Sequence, residues 1–199
     1  SMGVPIRRLI LATNENNVLE EFFTTGIYRP RSAEDTLATS SPSMDISKAS
    51  NLERFIWTLL GPEVFVQRWA ELEATGTLDL RDQLPRLREE FGFVAGTSSH
   101  ADRLEAIRSV KERSGRLIDP HTADGVTVAL RVMEPGFPTL VMETAKAAKF
   151  PQTVAEALGS EPETPDVVAD LLARPQKVET IDNEEAPLRA LIEERALTR

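Results

Sequence analysis

With 199 residues, 41% of them apolar, and a formal charge of -9 from 23 basic and 32 acidic side chains, the chain is long enough to build the core of one or two domains. The lack of any cysteine excludes a disulfide scaffold, a cysteine zinc site, an iron–sulfur cluster and a thiol nucleophile. The acidic balance argues against nucleic acid or an anionic membrane as partner, and no apolar run nears the roughly 20 residues a spanning helix needs, which predicts a cytoplasmic protein.

Arg8 to Asn14 is a short apolar run closed by polar residues, the pattern of a parallel strand buried on both faces. Such a strand needs neighbours on both sides, so an opening this close to residue 1 predicts further strands upstream in a longer parent. Val18 to Phe23 has helical spacing, with Asn16 or Asn17 placed to cap it and Gly26 to stop it. Tyr28 to Thr39 lacks periodicity and is expected to be a loop ending in a short extended piece near Leu37 and Ala38. Ser50-Asn51-Leu52-Glu53 has the form of a capping box before Phe55, Ile56, Leu59 and Leu60, and Gly61-Pro62 ends that helix.

Two more helices are expected over Glu63 to Thr75 and Arg81 to Phe91, and Phe93 to Gly96 fits a strand or a turn. Ser99 and Asp102 form a second capping box, opening a helix that runs to Gly115 and leaving His100 in the exposed first turn. Asp119-Pro120 predicts a further helix start, with Asp as cap and Pro at the first helical position. Thr139 to Met142 reads as the last strand. Helices beginning at Thr164-Pro165 and at Asn183 make an acidic tail, expected to pack on the preceding domain because no Gly/Ser linker separates them.

General catalytic motifs are missing: no G-x-G-x-x-G, Walker loop, H-E-x-x-H or nucleophile elbow occurs. The two histidines, His100 and His121, fall on separate helices without a carboxylate cluster, so no metal site is expected. The acidic pairs Glu89-Glu90, Glu184-Glu185 and Glu193-Glu194 read as solvated helix faces.

Longer segments carry more. Thr39-Ser40-Ser41-Pro42-Ser43-Met44-Asp45-Ile46 is followed by Ser50-Asn51-Leu52-Glu53-Arg54, by Asp119-Pro120-His121-Thr122-Ala123, and by Glu143-Thr144-Ala145-Lys146-Ala147-Ala148-Lys149-Phe150. In that order they resemble threonine synthase, and the opening Leu11 to Leu19 is similar to the same family. The resemblance runs from residue 3 to about residue 160 and implies an α/β fold: the C-terminal portion of the large domain of a fold-type II pyridoxal-phosphate enzyme, with short parallel strands flanked by helices. On this basis residues 1–160 are expected to belong to the cofactor-binding large domain, including a helical insertion over about 62–92, and residues 161–199 to form a helical C-terminal tail packed on it.

The family converts O-phospho-L-homoserine and water to L-threonine and phosphate, using pyridoxal 5'-phosphate as electron sink. Its cofactor lysine lies in a Phe-Lys-Asp context and its cofactor phosphate in a Gly-Asn-x-Gly loop; neither sequence occurs here, and Lys48, Lys111, Lys146, Lys149 and Lys177 all stand in other contexts. The resemblance therefore implies less than half of the enzyme, with no catalytic residue in this segment. It also implies inactivity in isolation, completion by the N-terminal part of the same protein, and self-association through uncovered apolar surface. By the same resemblance Thr144 hydrogen-bonds the cofactor's pyridine nitrogen from a strand end, Asp119 and His121 run along one edge of the cofactor ring, and Asn14, Ser41 and Ser43, with Asp45, line the substrate side. Lys146 and Ala147 depart from the His-Pro or Gln-Pro that the family usually carries there. The alternative reading is a non-catalytic half of the fold that serves as a binding module.

Overall fold

The computed structural model describes residues 3–196, and contacts divide the chain into two units that meet between Glu163 and Thr164. In the first, β1 (Leu9–Thr13) leads into α1 (Val18–Thr25), β2 (Ile27–Tyr28), α2 (Ser50–Leu60), α3 (Pro62–Thr75), β3 (Leu78–Asp79), α4 (Leu84–Glu89), β4 (Phe93–Thr97), α5 (His100–Ser114), α6 (Pro120–Val132) and α7 (Pro151–Leu158). The second unit holds α8 (Asp166–Leu172) and α9 (Glu185–Arg195).

β1 and β4 run parallel in register Leu9 with Phe93 through Thr13 with Thr97, while β2 and β3 form a separate antiparallel pair. Strand alternation sends Leu11 one way and Ile10 and Ala12 the other. Leu11, Phe93 and Ala95 join the larger core, which Phe22 and Phe23 of α1, Tyr28, Leu52 and Ile56 of α2, and Leu72 of α3 complete. Ile10 and Ala12 face α6 across a cleft. A smaller core of Ala106, Ile107, Ile118, Ala123 and Ala157 joins α5, α6 and α7.

Gly96 sets how closely α6 lies on β4, because a Cβ there would meet Val128 Cγ1 at 2.9 Å. The Ser99–Asp102 capping box forms as the sequence predicts, each side chain bonded to the other residue's backbone N–H, and Gly115 closes α5 in the left-handed region. Asp119 caps α6 with Pro120 at its first position.

Five expectations change. Leu9 is exposed and the rest of β1 up to Ala12 only half-buried, since β4 is its sole strand neighbour among the described residues. The α2 capping box does not form: Ala49 is the cap, its carbonyl takes the Leu52 and Glu53 amides, and Ser50 is already helical. The expected helix from Arg81 is a 3-10 turn over Arg81–Gln83, with α4 starting only where Pro85 fits a first turn. Leu37 gains no strand partner; instead the Asn16 amide grips its backbone, donating to the carbonyl at 2.8 Å and accepting from the N–H at 2.8 Å. Thr139 to Met142 forms no strand, as no ladder hydrogen bond reaches it among the described residues and Leu140 is 88% exposed. A β-prone sequence becomes a strand only when a neighbour supplies donors and acceptors.

Candidate cofactor site

Residues 39–45 form a Ser-rich loop whose shape is set by one carboxylate. Asp45 Oδ2 accepts the Thr39 N–H at 2.8 Å, and its Oδ1 accepts the Thr39 hydroxyl and the Asn14 and Asn16 amides at 2.8–2.9 Å. Asn14, fully buried at the end of β1, also donates to Ser41 Oγ at 3.2 Å. Asn14 thus ties Ser41 to Asp45. The loop they close carries Ser43 to the rim of the cleft.

The cleft holds about 380 Å³ and is bounded by Ile10 and Ala12 of β1, Ser43 and Met44 of the loop, His121, Gly125 and Ala129 of α6, and residues 139–142 with Thr144 and Ala145. Gly125 is the floor, where a Cβ would stand 3.0 Å from Val141 Cγ1. Of the sequence-predicted site residues, Ser43, His121 and Thr144 line this cleft together, while Asn14, Ser41 and Asp119 stand behind it.

A chain of hydrogen bonds ties the three lining residues together. The Ser43 amide donates to His121 Nε2 at 3.0 Å, and His121 Nδ1 lies 2.9 Å from Asp119 Oδ1. Because a backbone N–H can only donate, Nε2 accepts and Nδ1 carries the proton it gives to Asp119. Asp119 Oδ2 accepts the Thr122 hydroxyl, and Thr122 Oγ1 in turn accepts the Thr144 N–H at 3.4 Å. Asp119 is therefore the hub between the two rims of the cleft, and it touches neither the cleft nor anything in it.

Burial raises the Asp119 carboxyl, but the hydrogen bonds from His121 and Thr122 outweigh it and hold the group below its ordinary value of 3.8. The unfolded state then binds more protons, so this contribution to stability is complete above pH 3.8 and is lost as pH falls through the lower folded value. Asp119→Asn is expected to cost about 1–3 kcal/mol at neutral pH, with the gap to the parent closing under acid. Urea denaturation at several pH values measures it; a pH-independent gap would contradict the assignment.

The lining fits one part of pyridoxal phosphate and not another. It contains no Lys, Arg, Asp or Glu, and the Thr144 hydroxyl has no hydrogen-bond partner among the described residues. An aromatic ring with one acceptor nitrogen suits an apolar slot holding a free hydroxyl. A phosphate dianion requires converging N–H groups or cations, which this lining lacks. No lysine reaches the lining either, and Lys146 pairs with Glu143 at 2.7 Å on the exterior.

Behind the loop lies a fully buried arginine that the sequence pattern did not single out. Arg103 of α5 donates from Nη2 to both Glu15 oxygens at 2.8 and 2.9 Å, from Nη1 to Asp124 Oδ1 at 3.0 Å, and from Nε to Ser40 Oγ at 2.8 Å. Burial pushes the Asp124 carboxyl up, against the pull of Arg103. His100, expected as a plain surface residue, joins the same network with Nδ1 at 2.8 Å from Ser40 Oγ and Nε2 at 2.9 Å from Glu156 of α7. In a helix read from sequence both look like ordinary solvated side chains; only their distant partners show otherwise.

Among known proteins, the family described as "Threonine synthase, C-terminal" matches residues 122–192. The threonine synthases of Methylobacillus glycogenes and Corynebacterium glutamicum are 48% and 50% identical over 97% and 92% of this chain, and the chain spans 41% and 39% of their lengths. The structure of pyridoxal-phosphate-bound threonine synthase from Brucella melitensis superposes with a TM-score of 0.85 at 33% identity, over 98% of this chain and 42% of that one. Yeast threonine synthase gives 0.80 at 26% identity, over 98% of this chain and 43% of that one. The architecture is thus α/β and matches the C-terminal region of a fold-type II pyridoxal-phosphate enzyme. The chain is homologous to the C-terminal part of threonine synthase and spans about two-fifths of the length of the relatives it matches.

Proposed function

We propose that this chain supplies the pyridine-nitrogen side of the cofactor site in a threonine synthase that converts O-phospho-L-homoserine and water to L-threonine and phosphate. The observation that carries this reading is the cleft itself: uncharged, apolar, and holding the free Thr144 hydroxyl opposite Ser43 and His121. Pyridoxal phosphate, when bound, supplies the electron sink for the carbon chemistry. The Thr144 hydroxyl would hold the cofactor ring in the cleft as donor to its nitrogen. Ile10, Ala12 and Ala129 exclude water from the ring face. Ser43 and His121 hold the opposite rim, and Asn14 and Ser41 act behind them by shaping the loop rather than by touching substrate.

The phosphate cradle and the imine-forming lysine come from the N-terminal part of the protein in this reading, so the chain is inactive by itself. The exposed side chains of Ile6, Leu130, Phe137, Leu140 and Met142 are apolar surface for that part to cover, and without it they favour self-association. The test is the isolated chain with pyridoxal phosphate and O-phosphohomoserine, assayed for phosphate release and sedimented in parallel. The expected result is no release and species heavier than 22.0 kDa. Turnover would overturn the division of labour, and a cooperative monomer would overturn the bare-surface account.

A further inference from the structure

Asp45 closes the 39–45 loop on itself and on the end of β1, but none of those bonds reaches the helical layer that carries His121. One residue does. Ser40 Oγ accepts from Arg103 Nε at 2.8 Å and lies 2.8 Å from His100 Nδ1, and its carbonyl accepts the Thr153 hydroxyl of α7 at 3.5 Å. Since the Glu156 carboxylate can only accept, His100 Nε2 carries the proton, and Nδ1 of the neutral ring accepts the Ser40 hydroxyl. Arg103 is fully buried and paired with both Glu15 and Asp124. Ser40 therefore takes its position from a buried, ion-paired side chain, three residues before the amide that binds His121.

We propose that Ser40 is the positioning residue of the cleft: its hydroxyl fastens the 39–45 loop to α5 and thereby holds the Ser43 N–H on His121 Nε2. The inference rests on the reading of the cleft as a cofactor face for its consequence in catalysis, while the contact itself stands independently. Without the Ser40 anchor, the loop keeps its internal shape and shifts as a body, and His121 loses the donor on Nε2 while Asp119 still holds the Nδ1 proton. Ser40 touches neither the cleft nor a ligand in it, so its action on the reaction passes entirely through Ser43 and His121.

The experiment uses the full chain without cofactor. Nitrogen-15 NMR of the His121 ring reports which nitrogen carries the proton, and amide hydrogen exchange reports the Ser43 N–H. In the parent, His121 shows a single tautomer protonated at Nδ1 and a protected Ser43 amide. Ser40→Ala is expected to shift the His121 Nε2 resonance towards that of a ring nitrogen without a donor, the Nδ1 proton staying hydrogen-bonded to Asp119, and to give at least tenfold faster Ser43 exchange, with the α5 and α6 amides still protected. The pair Ser40→Thr and Ser40→Val, matched in volume and differing in the hydroxyl, separates anchoring from packing: Thr restores the parent signals and Val does not. Unchanged His121 and Ser43 signals in Ser40→Ala overturn the proposal, as does equal behaviour of Thr and Val. Neither readout involves turnover, so these outcomes do not depend on whether the threonine synthase reading holds; failure of that reading would show only in the activity of a completed enzyme.

Discussion

Replacing Arg103 by methionine is expected to cost about 3–5 kcal/mol, because it leaves the buried Asp124 carboxylate without its cation. Against a total of about 5–15 kcal/mol for a domain, that is a large fraction of the stability. The melting temperature should fall by about 6–20 °C, at about 2–4 °C per kcal/mol for a chain of this size. Glu15 adds less to the loss, since its side chain is 29% exposed and can turn to water. Burial already raises the Asp124 carboxyl above 3.8, and without Arg103 it rises further. The folded state then binds more protons than the unfolded one, so the variant's stability declines as pH climbs above 3.8 towards the higher folded value. Pairing Arg103→Met with Asp124→Leu removes the stranded charge and should recover most of the loss. Thermal and urea denaturation of the single and double variants measure this; a single variant within about 0.5 kcal/mol of the parent would show the ion pair to be dispensable.

Thr144→Val is expected to act on chemistry with little effect on folding. The Thr144 side chain lies at the cleft without a hydrogen-bond partner among the described residues, so its removal should change stability by less than about 0.5 kcal/mol. In the completed enzyme the ring nitrogen would lose its donor, at about 1–3 kcal/mol, which is about 5- to 150-fold in kcat/KM. The absorbance maximum of the bound cofactor should shift in the same variant, whereas Thr144→Ser, which keeps the hydroxyl, should leave it near the parent's. Loss of activity without a spectral change would assign Thr144 to helix or loop structure instead.

How much of this was readable beforehand divides along one physical line. Features fixed within a few residues were legible: the Ser99–Asp102 box, the Asp119-Pro120 start and the Gly26 and Gly115 stops all depend on local backbone donors and conformation. Features that depend on a partner far along the chain were not. The β2–β3 pair spans only two residues on each side and carries no periodic signal. Leu37 is held by an amide 21 residues away, and Arg103 by partners 21 and 88 residues away. Thr139 to Met142 failed in the opposite sense, as its composition favours a strand but the described residues offer it no ladder.

The candidate site follows the same division. Thr144, His121 and Ser43 were named from segments similar to a known family, and the cleft brings them together. Asn14, Ser41 and Asp119 were named with them but work one layer back, since short polar side chains in such segments serve loop closure and capping as readily as ligand contact. Ser40 and Arg103, which locate the loop, gave no separate signal because a buried arginine in a charged helical stretch has the same spacing as a solvated one.

The central claim is that this chain forms the pyridine-nitrogen side of a working threonine synthase. Its most direct test is to join the chain in place of the corresponding segment of Corynebacterium glutamicum threonine synthase, to which it is 50% identical. Threonine and phosphate formation from O-phosphohomoserine are then assayed with pyridoxal phosphate. The account predicts turnover in equal amounts of both products, abolished when the relative's N-terminal part is omitted. A folded, cofactor-loaded chimera that releases neither product would contradict it.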